Sequence, residues 1–325
     1  MIKKSLSLKM ATSYFSNMIY LGSYTRNTSK GIYQFENSAV KFRYELSNPT
    51  YITQTDDYLY SIFGGDDGCG MAVYDKQKNE LVQKVFSDET KGPCHIMVDE
   101  EFDVAVTSSY HEHSFHVYRR LNGIWQEPLR VDTFNEASKV HYSYFAKSTQ
   151  TLYVVDLGLD KIYLYHLDNL SEPYQTLLFP EGVGVRHCVF SQDEKSMYVL
   201  SEYSGEIFCF YENKLLSQVK TDPNHMFDEA GAAIRLSMDE KYLAVSLRTK
   251  NQIVIYEVEE GYLTEFQRLN THGEHPRDFN FIDDETLLCA NRDTNNLAVF
   301  KSHPESKKYE FVESIDAPEI VCISI

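Results

Sequence analysis

Residues 182–211 read GVGVRHCVFSQDEKSMYVLSEYSGEIFCFY, and this stretch is the unit that the rest of the chain repeats. Cys188 to Ser191 and Met197 to Ser201 are apolar, β-branched or aromatic runs, while Gln192 to Lys195 between them is polar. That pattern predicts two short strands around a tight turn. In such a hairpin the residue before the first strand lies beside the residue after the second. Arg186 and His187 therefore share the open end with Glu202, which brings together a cation, a proton carrier and a carboxylate.

The same spacing recurs. Moving back 46 residues from His187 gives His141, and 46 more gives His95; moving forward 46 gives Ala233, two residues before Arg235. The partner positions, 15 residues further on, are Tyr110, Asp156, Glu202 and Arg248. Repeats of about 40–50 residues built from short strands are the mark of β-propeller blades. Like hairpins recur across the chain: 18–36, 51–74, 95–118, 142–165, the opening repeat 182–211, 234–256 and 278–300. The closing EIVCISI supplies one more strand. The expected fold is all-β, a seven-bladed propeller of four-stranded antiparallel blades. The last blade is closed by strands from both chain ends, which removes exposed sheet edges. Residues 18–325 form this single domain, preceded by a loose tail over 1–17.

A propeller also resolves the size of the chain, since 325 residues exceed what one simple core holds. Twenty-four Tyr and nineteen Phe against one Trp suit strand-rich blades and do not fit the Trp-Asp propeller repeats. The formal net charge of −17, with no basic run, argues against a nucleic-acid partner. An anionic ligand has to be met by a few concentrated arginines. Six cysteines lie scattered, mostly in apolar runs and without a C-x-x-C pair, and read as buried reduced thiols. The N-terminus lacks the apolar core of a secretory signal, and no run reaches the roughly 18 apolar residues of a membrane-spanning helix. The expectation is a cytoplasmic protein without membrane contact, a monomer or weak homo-oligomer.

Repeat-equivalent positions collect Tyr24, Arg26, His95, Tyr110, His141, Asp156, Arg186, His187, Glu202, Arg235, Arg248, Arg277 and Asn291 at one mouth of the channel. Guanidinium groups suit carboxylate, phosphate or a developing oxyanion, and histidine or glutamate beside them moves protons. The competing reading is that such His, Asp and Tyr residues tie one blade to the next by hydrogen bonds. The long connection 221–230, with His225, Asp228 and Glu229, is either a lid over the site or a plain solvated loop. His111-Glu112-His113 is a weak metal motif, and 64–70 (GGDDGCG) is a blade loop. Nucleophile elbow, Walker loop and dinucleotide fingerprint are all missing from the sequence.

Several ordered motifs together resemble one family. They are YLGSYTR and KGIY near the start, GPCH at 92–95, VVDLGLD at 154–160, GVGVRH at 182–187, AAIRLS at 232–237 and HPRDF at 275–279. The chain resembles the seven-bladed propeller lactonases, which include propeller-type bacterial 6-phosphogluconolactonases and fungal carboxymuconate-lactonising enzymes. The resemblance implies a cofactor-free, metal-independent lactone hydrolase. His141 and Glu202 match the catalytic pair, either being the base, and Arg186, Arg248 and Arg277 match the channel arginines. On that pattern Arg186 and Arg248 face the oxyanion, while Arg277 and Arg235 hold a substrate phosphate. His95, Tyr110, Asp156, His187, Asn291 and Tyr24 complete the substrate-binding set. The implied substrate is 6-phospho-D-gluconolactone. A muconate-type cycloisomerase and a non-catalytic propeller that binds a sugar acid or a protein are the alternatives.

Overall fold

The computed structural model describes residues 18–133, 135–222 and 230–325. The tail 1–17 and the side chains His225, Asp228 and Glu229 lie outside the described residues. The described chain folds into seven antiparallel sheets arranged as blades.

In the quoted stretch the expected turn forms, with Phe190 opposite Met197 and Cys188 opposite Val199. The strands run slightly further than the apolar runs alone suggest, Val185–Phe190 and Ser196–Ser201. Two more strands, Glu206–Tyr211 and Lys214–Lys220, complete this sheet, here blade 4. They meet at a two-residue turn, where Glu212 and Asn213 take φ of +46° and +61°. Left-handed residues at both central positions match the natural twist of a hairpin.

Blades 1 to 3 precede it, with inner strands Ile52–Gln54, His95–Asp99 and Val140–Ala146, and blades 5 and 6 follow, with Gly231–Leu236 and Pro276–Phe281. In blade 2 the outer strand is broken into Ile124–Trp125 and Leu129–Asp132. Pro128 lies at the break, and proline cannot donate to a ladder. Blade 7 takes its inner strand, Ile320–Ser324, from the C-terminus and Ile19–Ser23, Gly31–Glu36 and Ala39–Glu45 from the N-terminus. A clasp reinforces this closure: the Glu319 carboxylate accepts the backbone N–H groups of Asn27, Thr28 and Ser29 at 2.9–3.1 Å.

The ring follows from how apolar faces are shared. The core divides into clusters that each join two neighbouring blades, with one cluster for every blade boundary. Between blades 4 and 5, for example, Tyr198, Leu200, Ile207 and Cys209 pack on Ile234, Leu243, Val245 and Leu247. Fully burying one such aliphatic side chain contributes about 1.5–3 kcal/mol. Each blade therefore depends on the next, and the circle has no free end.

The inner strands carry one irregularity that sets the site. In blade 4, Val185 pairs with Ser201 and His187 with Leu200, so Arg186 is an extra residue with no partner. Blades 3, 6 and 7 slip at the same point, which leaves His141, Arg277 and Val321 as the extra residues. Blade 5 slips between Gly231 and Ile234, at Ala232. Thr50 and Cys94 occupy the matching place ahead of the inner strands of blades 1 and 2. A bulge re-aims the side chain it releases. Repeated around the ring, it turns one residue per blade into the mouth of the channel.

Candidate active site

A cavity of roughly 430 Å³ opens at this end of the channel. Two stacked rings build it. The lower ring is the bulge set, of which Thr50, Cys94, His141 and Arg277 line the cavity directly. The upper ring is the residue after the second strand in blades 2 and 4 to 7, Tyr110, Glu202, Arg248, Arg292 and Tyr24, with Gly64 near the end of the blade 1 strand Tyr58–Gly65; all six line the cavity, and Leu157 of blade 3 does not. Gly64 is required there, because a Cβ at that place would come 2.5 Å from the Gly92 backbone.

Glu202 is the hub. Its Oε2 lies 2.9 Å from Arg186 Nε and its Oε1 3.1 Å from Arg248 Nη2. The Arg186 contact is an ion pair in which the N–H is not aligned on the oxygen. Burial pushes the Glu202 carboxyl up, but Arg186, Arg248 and Arg277 outweigh it and hold the group below the usual glutamate range. The carboxylate is thus ionised and doubly clamped, which makes it a poor proton acceptor and a firm anchor for two guanidiniums.

Those guanidiniums are fixed on their inner sides. Arg186 donates through Nη1 to the Ala232 carbonyl and meets His187 Nε2 at 3.1 Å. Arg248 donates through Nε to Ala230 O at 2.8 Å. Among the described residues Arg186 Nη2 and Arg248 Nη1 have no partner. Arg277 forms no hydrogen bond or ion pair among the described residues, although it lines the cavity. Arg26 sits over the Tyr24 ring at 3.9 Å, and Arg292 is tied to Asp293 at 2.6 Å and to His275 at 3.3 Å. In a protein of net charge −17 this cavity gathers several arginines around one carboxylate. Preorganised positive charge of this kind binds anions and stabilises oxyanions.

His141 faces the cavity and is 4% exposed. Burial, then Arg186 and Arg277, depress its pKa well below the usual histidine value, so the ring is neutral near pH 7. A neutral imidazole beside bound substrate has an open ring nitrogen that can accept a proton, which the clamped carboxylate oxygens of Glu202 do not offer.

Beneath the lower ring an aromatic plug fills the channel. His95 lies between Tyr51 and Tyr142, with ring centroids 4.3 and 4.1 Å away, and its Nδ1 accepts from the Ser143 N–H. His187 packs 4.9 Å from Tyr142. Arg235, half-buried and away from the cavity, bonds Asp278 at 2.7 Å. Burial opposes the Arg235 charge, but the Asp278 carboxylate outweighs it and holds the guanidinium above its usual range.

The structure therefore brings together Tyr24, Tyr110, His141, Glu202, Arg186, Arg248 and Arg277. It sets His95, His187 and Arg235 in the layer below, so Arg235 does not share a phosphate site with Arg277. Asp156 and Asn291 do not line the cavity. Asp156 takes the Ser138 hydroxyl and the N–H groups of Lys139, Gly158 and Leu159, and Asn291 donates to Thr271 O. Asp156 holds the turns at its own blade end, and Asn291 holds the connection that leads into its blade. The metal motif disperses: Glu112 accepts from Thr90 and Lys91, His113 contacts Ser138 O, and His111 meets the Tyr110 ring edge-on. Among the described residues no group of three or more His, Cys, Asp or Glu is placed to hold a metal ion. Arg292, Asn48, Thr50 and Cys94 line the cavity and were not singled out from the sequence.

Comparison with known proteins agrees with this fold. Residues 18–325 match the family model described as lactonase, 7-bladed beta-propeller. The chain is 31% identical to a 6-phosphogluconolactonase of Bacillus subtilis, with 94% of this chain and 97% of that protein covered. A crystal structure of a Lactobacillus plantarum protein superposes with a TM-score of 0.84 at 28% identity, covering 94% of this chain and 98% of that one. The periplasmic gluconolactonase of Pseudomonas aeruginosa superposes with a TM-score of 0.82 at 23% identity over 94% and 98% of the two chains, a likeness of fold.

Proposed function

The chain belongs to the seven-bladed β-propeller lactonases, and from that premise we propose that it hydrolyses a small anionic sugar lactone, 6-phospho-D-glucono-1,5-lactone. The observation that carries the anionic part is Arg277, a cavity-lining guanidinium with no partner among the described residues. The 6-phosphogluconolactonase of B. subtilis supports the choice of lactone. In this reading Arg277, with Arg292 and Arg26 at the rim, receives the phosphate. Arg186 Nη2 and Arg248 Nη1 meet the carbonyl oxygen as it becomes an oxyanion. Neutral His141 takes a proton from water while the water oxygen bonds to the carbonyl carbon. The tetrahedral intermediate then breaks its bond to the ring oxygen, which receives the proton back from His141. Glu202 holds both guanidiniums in place and moves no proton.

The test is a comparison of phosphorylated and unphosphorylated gluconolactone by pH-stat, each corrected for spontaneous hydrolysis. A saturable excess rate that favours the phosphorylated lactone is expected. A rate at background for both overturns the proposal.

A further inference from the structure

Below the cavity lies a second space of roughly 40 Å³, lined by Tyr51, Arg186, His187 and Asp278 together with residues of the ring above. It shares Tyr24, Thr50, Cys94, His141 and Arg277 with the main cavity, so the two meet at the bulge ring. A polar space of this size has room for a water molecule.

The protons on its walls can be assigned. Arg186 Nη1 carries two hydrogens, one given to the Ala232 carbonyl and the other directed at His187 Nε2. A guanidinium cannot accept, so His187 Nε2 is the acceptor. Burial and Arg186 keep the His187 ring neutral, which leaves its single proton on Nδ1. That Nδ1–H is buried and has no partner among the described residues, and the same is true of His141 Nδ1. The two rings are 5.1 Å apart, centre to centre. A buried donor without an acceptor is costly, and beside a polar chamber it calls for an oxygen.

We infer that this chamber holds the hydrolytic water, with His187 Nδ1–H donating to its oxygen and His141 accepting one of its protons. The inference rests on the lactonase reading above. The water enters the lactone from the channel side. Its oxygen forms the new bond to the carbonyl carbon, His141 receives its proton, and the ring C–O bond breaks with that proton returned to the ring oxygen. His187 does not change protonation; it fixes where the nucleophile waits.

The experiment pairs kinetics with tautomer assignment. Asn at position 187 can keep an amide N–H near the place of Nδ1, whereas Gln places its amide near Nε2. His187→Gln is expected to lose about 10²-fold in kcat with KM within threefold, the scale of a misplaced reactant. His187→Asn should stay at least tenfold above it. Long-range ¹H–¹⁵N correlation of the wild-type imidazoles should show His187 protonated at Nδ1 and bare at Nε2. Equal kcat in the two variants while both remain folded, or an Nε2–H tautomer, overturns the water site. A wild-type protein that leaves the lactone at its background rate overturns the lactonase reading instead, and the tautomer result then stands as a separate measurement.

Discussion

Replacing Glu202 by Gln removes the charge that organises the cavity. A carboxylate offers two oxygens, and here each serves one guanidinium, Arg186 at 2.9 Å and Arg248 at 3.1 Å. A glutamine has one acceptor oxygen, so it can hold one of them and turns an N–H group towards the other. The Arg186 side chain is 2% exposed, and the charge left behind has little access to water. Breaking a buried pair costs about 3–5 kcal/mol, and the retained amide oxygen places this change near about 3 kcal/mol. At about 2 °C per kcal/mol for a chain of this length, thermal unfolding should fall by roughly 6 °C. One oxyanion donor then loses its aim, which costs about 10²–10³-fold in kcat. Calorimetry and initial rates on 6-phosphogluconolactone measure both effects. The acid limb of the pH–rate profile should stay where it is, because His141 is the base. A kcat within threefold of wild type refutes the clamp, and loss of the acid limb refutes the assignment of the base.

Arg277→Ala removes an unpaired cation; KM for the phosphorylated lactone should rise about 10–100-fold, the worth of a charged hydrogen bond, and the unphosphorylated lactone should be unaffected. Equal losses on both substrates contradict a phosphate site there. Arg235→Ala leaves Asp278 buried without its partner, so stability should fall by about 3–5 kcal/mol while KM changes less than threefold. A large rise in KM with unchanged stability returns Arg235 to the binding set. For wild type, kcat/KM should stay level through the usual histidine range and fall only in stronger acid, since burial, Arg186 and Arg277 hold His141 below that range. A midpoint at or above 6.5 contradicts a neutral buried base.

The blades were legible because alternation and turn chemistry are local: the turn at 192–195 sits where residue type alone puts it. Closure by the two chain ends was legible from one leftover strand. The site was legible only in part, because a fixed step of 46 residues treats the blades as equal. Cys94 and the bulge residues His141, Arg186, Ala232 and Arg277 hold matching places 45 to 47 apart, so His141 is the counterpart of Arg186 and not of His187. The same step selected Asp156 in place of Leu157, and Asn291 likewise was chosen one residue short of Arg292, the residue beyond the strand end. A bulge is a property of paired strands, set by which backbone groups bond across the sheet. No residue type marks it. Pairing across blades likewise cannot be read from spacing, and it is pairing that separates Arg235, neutralised by Asp278, from Arg277, which lines the cavity.

The most direct measurement is a crystal structure of the protein with 6-phosphogluconate, the product of the proposed reaction. The account predicts the new carboxylate against Arg186, Arg248 and His141, with the phosphate on Arg277. Product bound away from the bulge ring, or with its phosphate and carboxylate exchanged between those two groups of arginines, contradicts it.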